Sequence, residues 1–226
     1  MSKNFVEIKD SAKANEHAEL TKQLVDKLQA LNSTSHASPL VHARLQLDVA
    51  EILVALERKT EAWALAREAF DTALTHDAWK DAVEACDVLY QCAQEDSVAA
   101  LGMGVWLAVS FPVDPELTLA MMMHIVEETP DNSDGAALAA ITARYVIDLR
   151  ANDETHESLS FLADNLIAHV AKRHSDVRDQ AAMDKWMDSL QLREPNIFLP
   201  RLAQVVNIIV ADAWRFDRDE LRKKFD

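Results

Sequence analysis

The chain has 226 residues, 49% of them hydrophobic, with 38 acidic against 23 basic side chains and a formal net charge of −15. That length supports a full hydrophobic core without disulfides or a metal. The charge excludes the basic footprint that nucleic acid or anionic lipid requires. Only Gly102, Gly104 and Gly135 occur as glycine, which argues against nucleotide-binding loops, tight hairpins and bulges together.

The start, Met1-Ser2-Lys3-Asn4-Phe5-Val6-Glu7, lacks an apolar stretch of signal-peptide length. A first amphipathic helix is predicted from about Ser11 to Leu31, and Asn32 to Pro39 reads as a loop ending in Ser38 as N-cap with Pro39 at the first helical position. Helices follow over Leu40–Glu57 and Glu61–Leu74. Asp77 is expected to cap a helix from Ala78 to Gln94, and Ser97 to open one ending near Ser110. Phe111-Pro112-Val113-Asp114-Pro115 is a stop and restart, with Asp114 as N-cap. Helices are then expected over Glu116–Glu128 and Gly135–Ala151, from Asn152-Asp153 to Arg173, and from Ser175-Asp176 to Leu192. After a break at Glu194-Pro195-Asn196 come a very apolar helix, Phe198–Trp214, and a charged tail helix, Arg218–Phe225. No run reaches the roughly 18 apolar residues of a membrane span. Cys86 and Cys92, six apart on one predicted helix, point about 120° apart, so reduced thiols in a cytoplasmic protein are expected.

No segment alternates as a half-buried strand does, and the class is all-α. Helix pairs are predicted to begin near Leu40, Ala78, Glu116 and Glu154, a recurrence in the range of α-solenoids. Leu45, Val83, Met121 and Leu159 fall in one apolar column. Within one unit, Leu53, Ala66, Phe70 and Ala73 stand at the spacing of the tetratricopeptide-repeat pattern, and the chain resembles that family there. It departs from the family at Ala50, where Trp is preferred, and at Val54, Glu57 and Ala78, where Gly, Tyr and Pro are usual. The resemblance implies a stack of antiparallel helix hairpins with a concave face for a peptide or partner protein. The domain reading is an N-terminal helix and linker over 1–38 and a helical-repeat domain with capping helices over 39–226; a compact orthogonal bundle is the alternative architecture.

Chemistry-bearing patterns are scarce. Glu-x-x-His, His-Glu-x-x-His and Cys-x-x-Cys do not occur, nor do the Gly-x-Ser-x-Gly elbow or a Walker loop. No catalytic residue, metal site or cofactor is therefore assigned. His124 and Glu128 share a helical face with Glu127 adjacent, whereas His169 and His174, five apart, do not. Gly102-Met103-Gly104 is expected to let two helices approach closely. Met121-Met122-Met123 spans about 300° of a helix, so at most two of the three can face one groove.

The C-terminal region is apolar on nearly every side: Leu199, Leu202, Val205, Val206, Ile208, Ile209, Val210 and Ala213, continued by Trp214, Phe216, Leu221 and Phe225. Something must cover such a helix, either the returning tail or a second chain. The expected function is a non-catalytic interaction module, adaptor or accessory subunit, whose partner is another protein or a second copy. The expected partner-binding residues are Trp214, Phe216, Val206, Ile209 and Met122. An all-α enzyme or small-ligand binder is the alternative, with a site assembled from His124, Glu127, Glu128, His169, Trp106 and Tyr145.

Overall fold

The computed structural model describes residues 2–34 and 38–224, residues 2–12 by their helical backbone. Met1, Ser35, His36, Ala37, Phe225 and Asp226 lie outside the described residues, and with them part of the expected loop before Ser38 and the end of the expected tail helix. Among the described residues there are eleven α-helices and no strand, so the chain is all-α. No described helix is long and apolar enough to cross a membrane. Two compact units succeed one another, Met1–Ser97 and Val98–Asp226; the boundary expected after Ser38 does not separate them.

The first unit holds α1 (Ser2–Ser33), α2 (Pro39–Ala55), α3 (Lys59–Thr75) and α4 (Trp79–Gln91). The helix preceding the linker is part of this unit: α1 packs on α2, with Leu24 buried and Lys27 Nζ donating to Asp48 at 2.6 Å. Ser38 stands at the N-cap of α2 as expected, but its side chain makes no capping bond and Pro39 sets the start. The turns Leu56-Glu57-Arg58 and His76-Asp77-Ala78 are alike. In each the middle residue is left-handed, with φ of 60° at Glu57 and 57° at Asp77. The next N–H then reaches back across the helix end, Arg58 to Leu53 O at 2.8 Å and Ala78 to Ala73 O at 2.9 Å. This is the Schellman ending that glycine normally makes. Asp77 therefore closes α3 rather than capping α4, whose N-cap is Ala78.

Leu53, Ala66, Phe70 and Ala73 are all buried. On the charged side, the Arg44 guanidinium ties α2 to α4. It donates to Asp48 at 2.8 Å, to Glu51 at 3.1 Å, to Asp81 at 3.3 Å and to Glu84. Burial opposes both charges of the Arg44–Asp48 pair, yet the hydrogen bonds outweigh it, raising the arginine pKa and lowering that of the carboxyl. Both cysteines are free and buried. Burial pushes the Cys86 thiol pKa up and that of Cys92 to about 11, so both are inert thiols.

The second unit is built from α5 (Ser97–Ser110), which opens at the boundary, α6 (Pro115–Glu128), α7 (Asp134–Arg150), α8 (His156–Ser175), α9 (Gln180–Ser189), α10 (Pro195–Val210) and α11 (Arg218–Arg222). Its centre is α7, in contact with α6, α8 and α10. From Gly135 to Ala143 every residue of α7 is buried, because a run of alanines lets neighbours approach from all sides. Two helix starts lie later than expected. Asn152 Oδ1 gathers the N–H groups of Glu154 and Thr155 at 3.1 and 3.0 Å, a turn that delays α8. Asp179, not Ser175-Asp176, caps α9, accepting from the Ala182 N–H at 2.8 Å. Glu194-Pro195-Asn196 starts α10 instead of breaking the chain, with Pro195 in the first turn. That helix ends at Val210 rather than Trp214, where Ala211 turns to φ 49°.

Candidate functional site

An apolar concavity lies in the second unit, between α5 and α10. No residue of α5 is charged, and at Gly102 it meets α10 closely. A Cβ built there would stand 2.5 Å from Val210 Cγ2 and 3.0 Å from Ile209 Cγ2, so only glycine permits this approach. The C-terminal end of α5 is fixed by Arg150 from the last turn of α7. Its guanidinium donates to the carbonyls of Ala108 at 2.7 Å, Val109 at 2.8 Å and Val113 at 3.2 Å. It thereby satisfies carbonyls that a helix end leaves open and places a cation at the negative pole of the dipole.

Between that crossing and that clamp, Val105, Trp106, Val109 and Ser110 of α5 face Leu199, Leu202, Ala203 and Val206 of α10 across a cleft of about 170 Å³, with Arg222 at its side. Residues 199, 203 and 206 recur at the spacing of one helical face. The returning tail supplies the rim. Trp106 packs against Phe216 at 5.4 Å between ring centroids, Phe111 at 5.7 Å and Trp214 at 6.2 Å. Arg218 lies 4.1 Å over the Trp214 ring and Arg222 5.4 Å over Trp106, both within cation–π range. Asp217 caps α11 by accepting from the N–H groups of Asp219 and Glu220 at 2.8 and 3.1 Å, and Leu221 is buried. Of the two covers considered for the apolar C-terminal helix, the returning tail takes part of its surface. A second, more polar cleft of about 480 Å³ adjoins, sharing Ala203 and Arg222 and bounded by Asn207, Trp214, Phe216 and Arg218.

The five residues expected to bind a partner are not gathered in one exposed surface. Trp214 and Phe216 edge the second cleft, and Val206 is a buried wall of the first. Ile209 packs at the Gly102 crossing. Met122 is fully buried in α6, as is Met121, and Met123 alone of the three methionines is exposed. Ile208, 79% exposed, looks away from the cleft, about 180° around α10 from Leu199. Leu199, Ala203, Val105 and Val109 carried no site signal in the sequence beyond their apolarity, and Arg222 lay within a charged tail.

The histidine and glutamate set of the alternative reading is dispersed. His124 faces Glu127 at 3.4 Å on α6, His169 is exposed on α8, and Tyr145 packs edge-on to Phe198. Among the described residues no group of three or more His, Cys, Asp or Glu is placed to hold a metal ion. One serine, histidine and aspartate do align: His174 Nδ1 is 2.6 Å from Ser175 Oγ, and Nε2 is 3.2 Å from Asp134 Oδ1. Nucleophilic catalysis also needs N–H donors for an oxyanion. Here Ser175 ends α8, and the next two N–H groups, Asp176 and Val177, go to the carbonyls of Lys172 and Ala171. A helix C-terminus repels a developing negative charge. No protein-family model, curated protein or solved structure matches the chain.

Proposed function

We propose that this protein is a non-catalytic interaction module, an adaptor or accessory subunit, that holds a protein partner through the α5–α10 cleft. The supporting observation is an apolar trough whose wall includes the buried Trp106 and whose side carries the exposed Arg222, tryptophan and arginine being residue types enriched at interface hot spots. A cavity near 150 Å³ accepts a benzene-sized group, so the 170 Å³ trough suits one aromatic or branched side chain of a partner. The partner is a second protein or a second copy of this chain. Successive helices joined by like turns support a repeat-like stacking of hairpins of the tetratricopeptide kind, and two buried free thiols suit a cytoplasmic location.

Ala203→Arg, which lines both clefts, fills the trough with a charged side chain and leaves the buried side of α10 intact. Native mass spectrometry of the tagged protein from its own cells is expected to show a stoichiometric partner or self-association that Ala203→Arg abolishes at unchanged helicity. Complexes that survive the substitution, or a monomer carrying a small molecule, would refute the assignment.

A further inference from the structure

The ring of His174 is 13% exposed and engaged at both nitrogens. Trp186 Nε1 lies 3.2 Å from Nδ1, and Ser175 Oγ lies 2.6 Å from the same atom. An indole N–H only donates, so Nδ1 is an acceptor without a proton. The ring's one proton then sits on Nε2 and is donated to Asp134 Oδ1 at 3.2 Å. Asp134 is steadied from the other side by Arg201 Nη2, 2.9 Å from Oδ2. Two neighbours on different helices thus fix the tautomer of this histidine.

We infer that His174 is a proton-operated latch on α9. A second proton must enter at Nδ1, where it meets the Trp186 N–H head-on. Ser175 Oγ can rotate to accept from it, but the indole cannot, so the Trp186 bond is lost while the Asp134 pair gains charge. The rest of α9 offers little to replace that bond, since Trp186 is its buried residue. The charged groups around the ring do not cancel the effect. Asp134 from α7 is held by Arg201 from α10. Arg173, on α8 itself, faces Asp131 of the preceding turn at 3.5 Å. Lys172 and Arg178 are both bound to Asp176 in an exposed chain at the end of α8. On α9, Asp184, Lys185 and Asp188 are exposed, the two carboxylates pairing with Arg193. Protonation at Nδ1 therefore tightens α8 onto α7 and releases α9.

Hydrogen exchange of the full chain at pH 8 and pH 5, corrected for intrinsic rates, tests the latch. Amide protection over residues 180–192 is expected to fall at least about fivefold at the lower pH, with that of α7 unchanged. The Trp186 indole proton, assigned by its absence in Trp186→Phe, is expected to shift over the same range. His174→Asn puts an amide oxygen where Nδ1 stood, an acceptor at every pH, and is expected to keep α9 protected at pH 5. Equal protection of wild-type α9 at both pH values, an unmoved indole resonance, or an undiminished pH response in His174→Asn would each overturn the inference.

Discussion

Replacing Arg150 by Met tests how the cleft is held open. The substitution keeps most of the aliphatic stem but removes the three hydrogen bonds to Ala108, Val109 and Val113. Hydrogen bonds from a charged donor contribute about 1.5–3 kcal/mol each. The three share one guanidinium and are not additive, and water entering the vacated space restores part of the loss. The expected cost is about 2–4 kcal/mol. Arg150→Lys keeps the charge at the dipole end but cannot span three carbonyls, and about half the loss is expected. Urea denaturation followed by tryptophan fluorescence, with Trp106 two residues before the clamped Ala108 carbonyl, reads the effect. A loss below about 0.5 kcal/mol, or equal losses for Met and Lys, would refute the capping role.

Glu57→Gly and Asp77→Gly place glycine at left-handed positions and are expected to stabilise the first unit by about 0.5–1 kcal/mol each, measured by thermal denaturation; destabilisation would contradict the turn assignment. Gly102→Ala is expected to cost about 1–2 kcal/mol despite its better helix propensity. Combining it with Val210→Ala, which removes the clashing methyl groups, is expected to recover about 1 kcal/mol relative to additivity in a double-mutant cycle. The lowered pKa of Asp48 means that its stabilisation is complete above the unfolded carboxyl pKa of about 3.9 and disappears as pH falls through the lower folded value. Asp48→Asn is accordingly expected to cost about 0.5–1 kcal/mol at pH 7, discounted for solvent screening, and close to nothing near pH 2; a cost independent of pH would sink the ion-pair explanation.

Helix existence was legible in the sequence because apolar periodicity and proline starts are local signals. Asp114-Pro115 begins its helix as read, and α5 has the bounds Ser97–Ser110 expected of it. Helix ends were less legible, since no described glycine takes a positive φ and Glu57, Asp77, Asp176 and Gln191 take it instead. Those residue types do not announce a C-cap, and Asp77 read as the opposite signal, an N-cap. Gly102 announced a close approach without naming its partner. The cleft itself depends on the tail folding back onto Trp106 and on Arg150 reaching α5 from α7. Both contacts join residues some 40 to 110 positions apart, beyond the reach of any periodicity.

The cleft's role is tested most directly by a photo-crosslinking amino acid placed in cells at Leu199, in the trough wall, and at Gln204, exposed and about 140° away on α10. A discrete adduct to another protein or to a second copy, formed from position 199 and not from 204, is the expected result. Adducts of equal yield from both positions, or none from Leu199, would contradict the proposal that this cleft holds a partner.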